Sequence, residues 1–208
     1  MRLRIKFAKT AHMRYTSHLD LQRTWERTVR RAKLPLAYSQ GFNPRPKINL
    51  AAALPLGFTS DCELAEIWLD HDLPENQVKE NLAEAAPPGL KIEQVEAVDL
   101  RNPKLPNLIR SSVYLVTLLD PVEDLESRIE VLLAKESILR ERRGKEYDLR
   151  PLVETMSAID PGPEGEQRLR LQLAARTGAT GRPDEVLAAL EILPYNARVH
   201  RTELILKT

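Results

Sequence analysis

Residues 2–8, RLRIKFA, alternate strictly, with Leu3, Ile5 and Phe7 on one side and Arg2, Arg4 and Lys6 on the other. That period of two predicts a strand with a buried apolar face and an exposed cationic one. The period then lengthens. From about residue 18 to 33, Leu21, Trp25, Val29 and Ala32 fall within about 80° of one another at 100° per residue, while Arg23, Arg27, Arg30 and Arg31 cluster opposite. This is a helix with one packing side and one cationic side. Ser17, three residues before Asp20, marks its start, because each side chain there can satisfy the other's free backbone amide.

The same reading continues along the chain. KINLAAAL (47–54) is a strand closed by the turn at 55–57, and CELAEIWLD (62–70) is the next strand. A helix at 75–86 carries Val78, Leu82 and Ala85 on one side and stops at Pro87-Pro88-Gly89; LKIEQVEAV (90–98) follows as a strand. Trp25 and Trp68 lie on apolar faces and are read as core. The second half repeats the order. Its elements are a strand at 111–119, a helix opened by Asp120-Pro121 with Leu125, Ile129 and Leu132 inward, and a strand within 138–157. Across the turn IDPGPEGE come a strand at 168–176, a short helix at 183–191 and a last strand at 199–206. Each half fits the ferredoxin-like βαββαβ plan, an α+β fold whose two helices cover one face of an antiparallel sheet. The expected division is 1–100 and 111–208, with the proline-bearing stretch 101–110 as linker.

The formal net charge of +1 conceals a strong asymmetry. Residues 1–50 hold twelve Lys/Arg against two Asp/Glu, residues 51–136 hold seven against seventeen, and the remainder is nearly balanced. Segregation on this scale speaks to partners rather than to fold. No apolar run approaches a membrane span, and MRLRIKFAKT lacks the apolar core of a signal peptide. Cys62 is the sole cysteine, so a disulfide framework or cysteine metal cluster is excluded and a cytoplasmic location is expected.

Between helix and strand lies YSQGFNPRPK (38–47). Gly41 permits close backbone approach. Tyr38 and Phe42 offer flat faces for stacking, although Phe42 reads equally as a core plug. Gln40 and Asn43 can meet base edges, and Arg45 and Lys47 can hold phosphates. Pro44 and Pro46 restrict the loop and lower the entropy lost on binding. Strand, helix and loop are basic together within fifty residues, which points to RNA rather than DNA. A protein-interaction module docking on an acidic surface is the competing reading.

Candidate chemistry is sparse. There is no phosphate-binding glycine loop, dinucleotide fingerprint or nucleophile elbow. His12, His18 and Asp20 are weighed as metal ligands and set aside in favour of a surface His18 and a capping Asp20. His12 and Tyr15 form a conceivable acid–base pair for a metal-free RNA-acting enzyme. Asp148, beside Arg150, reads as an ion pair on a strand or as an activated carboxylate. No catalytic residue, metal or cofactor is assigned.

Four pieces of residues 17–57 carry a resemblance: Ser17-His18-Leu19-Asp20-Leu21, Leu34-Pro35, Tyr38-Ser39-Gln40-Gly41-Phe42-Asn43-Pro44 and Leu54-Pro55-Leu56-Gly57, with DLRPLV at 148–153 as a looser match. In these the chain resembles the bacterial radical-SAM-linked proteins, a family of unknown function. The family's usual histidine between the two prolines is Arg45 here, which favours a phosphate or carboxylate contact there. The resemblance implies a radical-SAM partner enzyme that carries the iron–sulfur cluster, with this chain as an accessory. The expectation is therefore a non-catalytic RNA-binding accessory in which Arg2, Arg4, Lys6, Arg23, Arg27, Arg30, Arg31, Arg45 and Lys47 supply charge. Tyr38, Gln40, Gly41, Phe42 and Asn43 complete the expected RNA-binding set.

Overall fold

The first alternating segment forms β1 (Arg2–Lys9), and Leu3, Ile5 and Phe7 on it are 0 to 1% exposed. The computed structural model describes residues 1–142 and 144–207 and divides into two units, Met1–Ile109 and a second beginning at Arg110. In the first unit β1 is followed by α1 (His18–Arg31), β2 (Ile48–Leu50), β3 (Thr59–Trp68), α2 (Glu75–Ala85), β4 (Leu90–Ala97) and α3 (Leu105–Leu108). The strands lie in the order β2–β3–β1–β4, every neighbouring pair antiparallel. Ser17 caps α1 as its spacing predicts, accepting the Asp20 amide at 3.2 Å.

The core of this unit lies between the sheet and its helices. Leu3, Ile5 and Phe7 meet Leu21, Trp25 and Val29 of α1 and Val78 and Leu82 of α2. Phe7 and Trp25 stand edge to face, with ring centroids 4.9 Å apart. Trp68 is different. It is only half-buried, and its sheet position opposite Arg2 puts it on the face away from that core, with the Arg2 guanidinium over its ring. The apolar run at 62–70 placed it inside because periodicity does not distinguish two faces that are both covered.

Two other expectations shift. Only Ile48–Leu50 of the KINLAAAL stretch pairs as a strand, since the alanines after it bring no β-branched side chains to hold a pleated surface. The stretch expected as linker forms α3, and Leu105 on it is fully buried.

The second unit contains β5 (Ile109–Leu118), α4 (Leu125–Ala134), β6 (Leu139–Arg142), β7 (Lys145–Asp148), β8 (Val153–Ile159), β9 (Arg168–Arg176), β10 (Ala179–Thr180), α5 (Pro183–Ala189) and β11 (Ala197–Leu206). Its sheet runs β11–β5–β9–β8, with β10 also on β9. Leu169, Leu171 and Leu173 of β9 are fully buried on one face. The helix expected to open at Asp120-Pro121 begins at Leu125, after Asp124 adopts a left-handed backbone at φ 53°. The stretch 138–157 holds a separate two-stranded ribbon, β6–β7, before the sheet strand β8. The turn IDPGPEGE then joins β8 to β9 as expected. Among the described residues no helix is long and apolar enough to cross a membrane.

Candidate functional site

The loop between α1 and β2 is held at its base and free at its tip. Ala37 donates to the Trp68 carbonyl at 2.8 Å, Trp68 to that of Lys47 at 3.2 Å, and Lys47 to that of Ala37 at 2.9 Å. Above this, Ser39 and Arg45 exchange two bonds: the Ser39 amide donates to the Arg45 carbonyl at 2.8 Å, and the Arg45 amide to Ser39 Oγ at 2.9 Å. Beyond that closure Gln40, Gly41, Phe42, Asn43 and Pro44 are all exposed. Gly41 takes φ 138°, a conformation that side chains resist, and this turns the backbone at the tip. Phe42 is 102% exposed, so the core-plug alternative falls. Leaving a phenylalanine in water forgoes about 1.5–3 kcal/mol of burial that a partner surface would supply. Tyr38 is 38% exposed at the loop's base, and Arg45 and Lys47 are exposed beside it. The loop thus gathers aromatic, amide and cationic groups within one turn.

Arg23, Arg27, Arg30 and Arg31 are exposed along α1. Arg23 meets Asp20 at 3.4 Å in a solvated pair, worth little in water. Arg27, Arg30 and Arg31 make no ion pair among the described residues, and with Thr24 and Pro87 they line a shallow groove.

The cations of β1 behave otherwise. Arg2 and Arg4 both meet the fully buried Glu66 carboxylate, at 2.7 and 3.0 Å, and Lys6 meets Glu93 at 3.5 Å. Arg2 also donates to the carbonyls of Asn102 and Pro103 at 2.7 and 2.8 Å. The Leu105 amide reaches Glu66 at 3.4 Å. Residues 102–105 therefore cover the Arg2 end of the face that alternation left open, and Glu66, Glu93 and Glu96 pair with its cations. A buried guanidinium needs a carboxylate and further acceptors to offset its lost hydration, and both arrive from residues distant in sequence. Arg2 and Arg4 do not join the free cationic surface, while Lys6 stays exposed in a solvated pair with Glu93.

The residues weighed for chemistry take structural or solvated positions. Asp148 Oδ1 accepts the amides of Ile138 and Arg150 at 2.8 and 2.9 Å. Those bonds, first that from Ile138, hold its carboxyl below the ordinary range. Arg150 turns to the Leu133 and Val153 carbonyls, so Asp148 is an acceptor that fixes the ribbon's base. His12 and Tyr15 are exposed. Among the described residues no three His, Cys, Asp or Glu gather as a metal-binding group.

One polar cluster went unnoticed in the sequence. The buried Ser111 hydroxyl donates to Glu154, at 2.7 Å to the nearer oxygen, and Gln172 donates to the same carboxylate at 2.8 Å. Burial pushes the Glu154 carboxyl up, but these bonds and the charges of Arg110 and Arg176 outweigh it and hold it low. The three residues come from separate strands, and no local spacing announces them.

No curated protein matches the chain. A family model matches residues 2–183, the greater part of the sequence. The chain that presents this pinned aromatic loop and exposed arginine helix belongs to the family described as uncharacterized protein conserved in bacteria (DUF2344).

Proposed function

We propose that the protein is a non-catalytic RNA-binding accessory, its two units each built on the ferredoxin-like βαββαβ plan. The observation that carries this reading is the full exposure of Phe42 on a loop closed by the Ser39–Arg45 bonds. A stacking surface held out in this way, with Gln40 and Asn43 beside it and Arg45 and Lys47 behind, suits an unpaired base and its phosphate. The free guanidiniums of Arg27, Arg30 and Arg31 supply charge along the neighbouring helix. The strand order β2–β3–β1–β4 supports the ferredoxin-like plan for the first unit, and β11–β5–β9–β8 repeats it in the second.

The resemblance noted in the sequence adds a radical-SAM enzyme as the partner that performs chemistry on the bound RNA, with a shared cytoplasmic location. A second reading, docking on an acidic protein surface, is favoured by the groove of Arg27, Arg30 and Arg31 beside Pro87. Binding of a labelled single-stranded RNA across a salt series separates the two. With about five phosphate contacts, affinity falls roughly 100-fold for a fourfold rise in salt. A flat response removes RNA and leaves the protein partner.

A further inference from the structure

The β6–β7 ribbon pairs with no other strand and sorts its charges by face. Its register sets Arg140 opposite Tyr147 and Arg142 opposite Lys145, while Leu139 faces Asp148 and Glu141 faces Glu146. Directly opposed residues of an antiparallel pair share a face, and neighbours along each strand alternate. One face is therefore Arg140, Arg142, Lys145 and Tyr147, and the other is Glu141, Glu146, Asp148 and Leu139. Arg140, Arg142 and Lys145 make no ion pair among the described residues.

This sorting is not needed to hold the fold. A ribbon placed only for stability gains by setting opposite charges across from one another, and here like stands opposite like at Arg142–Lys145 and Glu141–Glu146, an arrangement that costs stability. Resting on the RNA-binding reading above, we propose that the cationic face of the ribbon is a second RNA-backbone contact surface, in the second unit and separate in sequence from the Phe42 loop.

The ribbon's cationic face borders a groove. Arg142, Lys145 and Tyr147 line it from the ribbon together with the carboxylates of Glu146 and Asp148, and Gly178, Ala179 and Thr180 line it from the turn opposite. Of these carboxylates Asp148 is engaged by the Ile138 and Arg150 amides, and two further acidic groups stand near Tyr147. Asp184 and Glu185 act on Tyr147 there, and Asp184 is held by Arg182 at 2.6 Å. The outer end at Arg142 and Lys145 is where phosphates meet positive charge. Burial, and then Glu185, push the Tyr147 hydroxyl up from its ordinary value, and its O–H is a donor of the kind a phosphate oxygen accepts.

The test is fluorescence anisotropy of a fluorescein-labelled single-stranded RNA on the full chain. Arg142→Glu with Lys145→Glu is expected to weaken binding about tenfold at low salt and to reduce the salt slope by about 1.4, the share of two phosphate contacts. Glu141→Gln with Glu146→Gln, on the opposite face, leaves affinity unchanged or raises it. Circular dichroism melts of both pairs check folding. Equal losses from both faces, no loss from the cationic face, or no RNA retained at low salt each overturn the proposal. So does capture of polyglutamate through Arg142 and Lys145 in place of RNA. Arg27→Glu with Arg30→Glu, run in parallel, reads the first unit separately.

Discussion

Arg2 and Glu66 stand 2.7 Å apart with 2% and 0% of their side chains exposed, an ion pair sealed inside the first unit. Arg4 adds a second guanidinium to the same carboxylate at 3.0 Å. Glu66→Ala leaves two cations without their shared anion and is expected to cost about 3–5 kcal/mol of folding stability. Urea titration checks this as a lower midpoint with an unchanged slope. Arg4→Ala costs less, because that side chain keeps 15% of its surface in water.

Phe42 contributes nothing to the core. Phe42→Ala is expected to leave the unfolding free energy within about 0.5 kcal/mol. Its RNA affinity falls by the worth of one stacked base, roughly 1–3 kcal/mol or about 5- to 150-fold. A stability loss without an affinity loss assigns the ring to packing instead.

The arginines of α1 act through charge alone. Reversing Arg27, Arg30 and Arg31 together to glutamate lowers the slope of log affinity against log salt by about two, three contacts at roughly 0.7 each. The melting temperature stays close to that of the parent, since all three are solvated. Unchanged slope with lost capture of an acidic protein supports the docking reading.

Asp148 makes the second unit acid-sensitive. Its folded carboxyl is held below the ordinary value of 3.8, first by the Ile138 amide. A depressed folded value stabilises the protein above the unfolded value, and the contribution is lost as pH falls from there through the folded one. Asp148→Asn is therefore less stable than the parent at neutral pH. The gap between their melting temperatures closes as pH drops below about 3.8. Glu154 acts in the same direction and steepens the acid loss of both proteins.

Local pattern told much of this in advance. Alternation at 2–8 and the helical spacing of Leu21, Trp25 and Val29 name the core residues that the first unit buries. Ser17 and Asp20 locate the helix start to the residue. The site was legible in part: composition marked 38–47 as a loop with capacity for a ligand, but Phe42 read equally as core or surface. The ribbon was also within reach. Arg140 and Arg142 alternate with Glu141, and Gly144, in a left-handed backbone at φ 72°, marks the reversal, yet only the register shows that Lys145 joins the arginines.

The chain's own order of side chains determined which residues face together, because backbone period is a local property. What covers a face is not local. Residues 102–105 fold back on Arg2 from about a hundred positions away and on Glu66 from about forty, burying Arg2 within an expected open cationic surface, while Lys6 stays exposed. Only the tertiary structure decided that, since a charge stays in water unless distant groups replace its hydration. Tertiary structure likewise left Phe42 outside: among the described residues no other element covers the loop's tip.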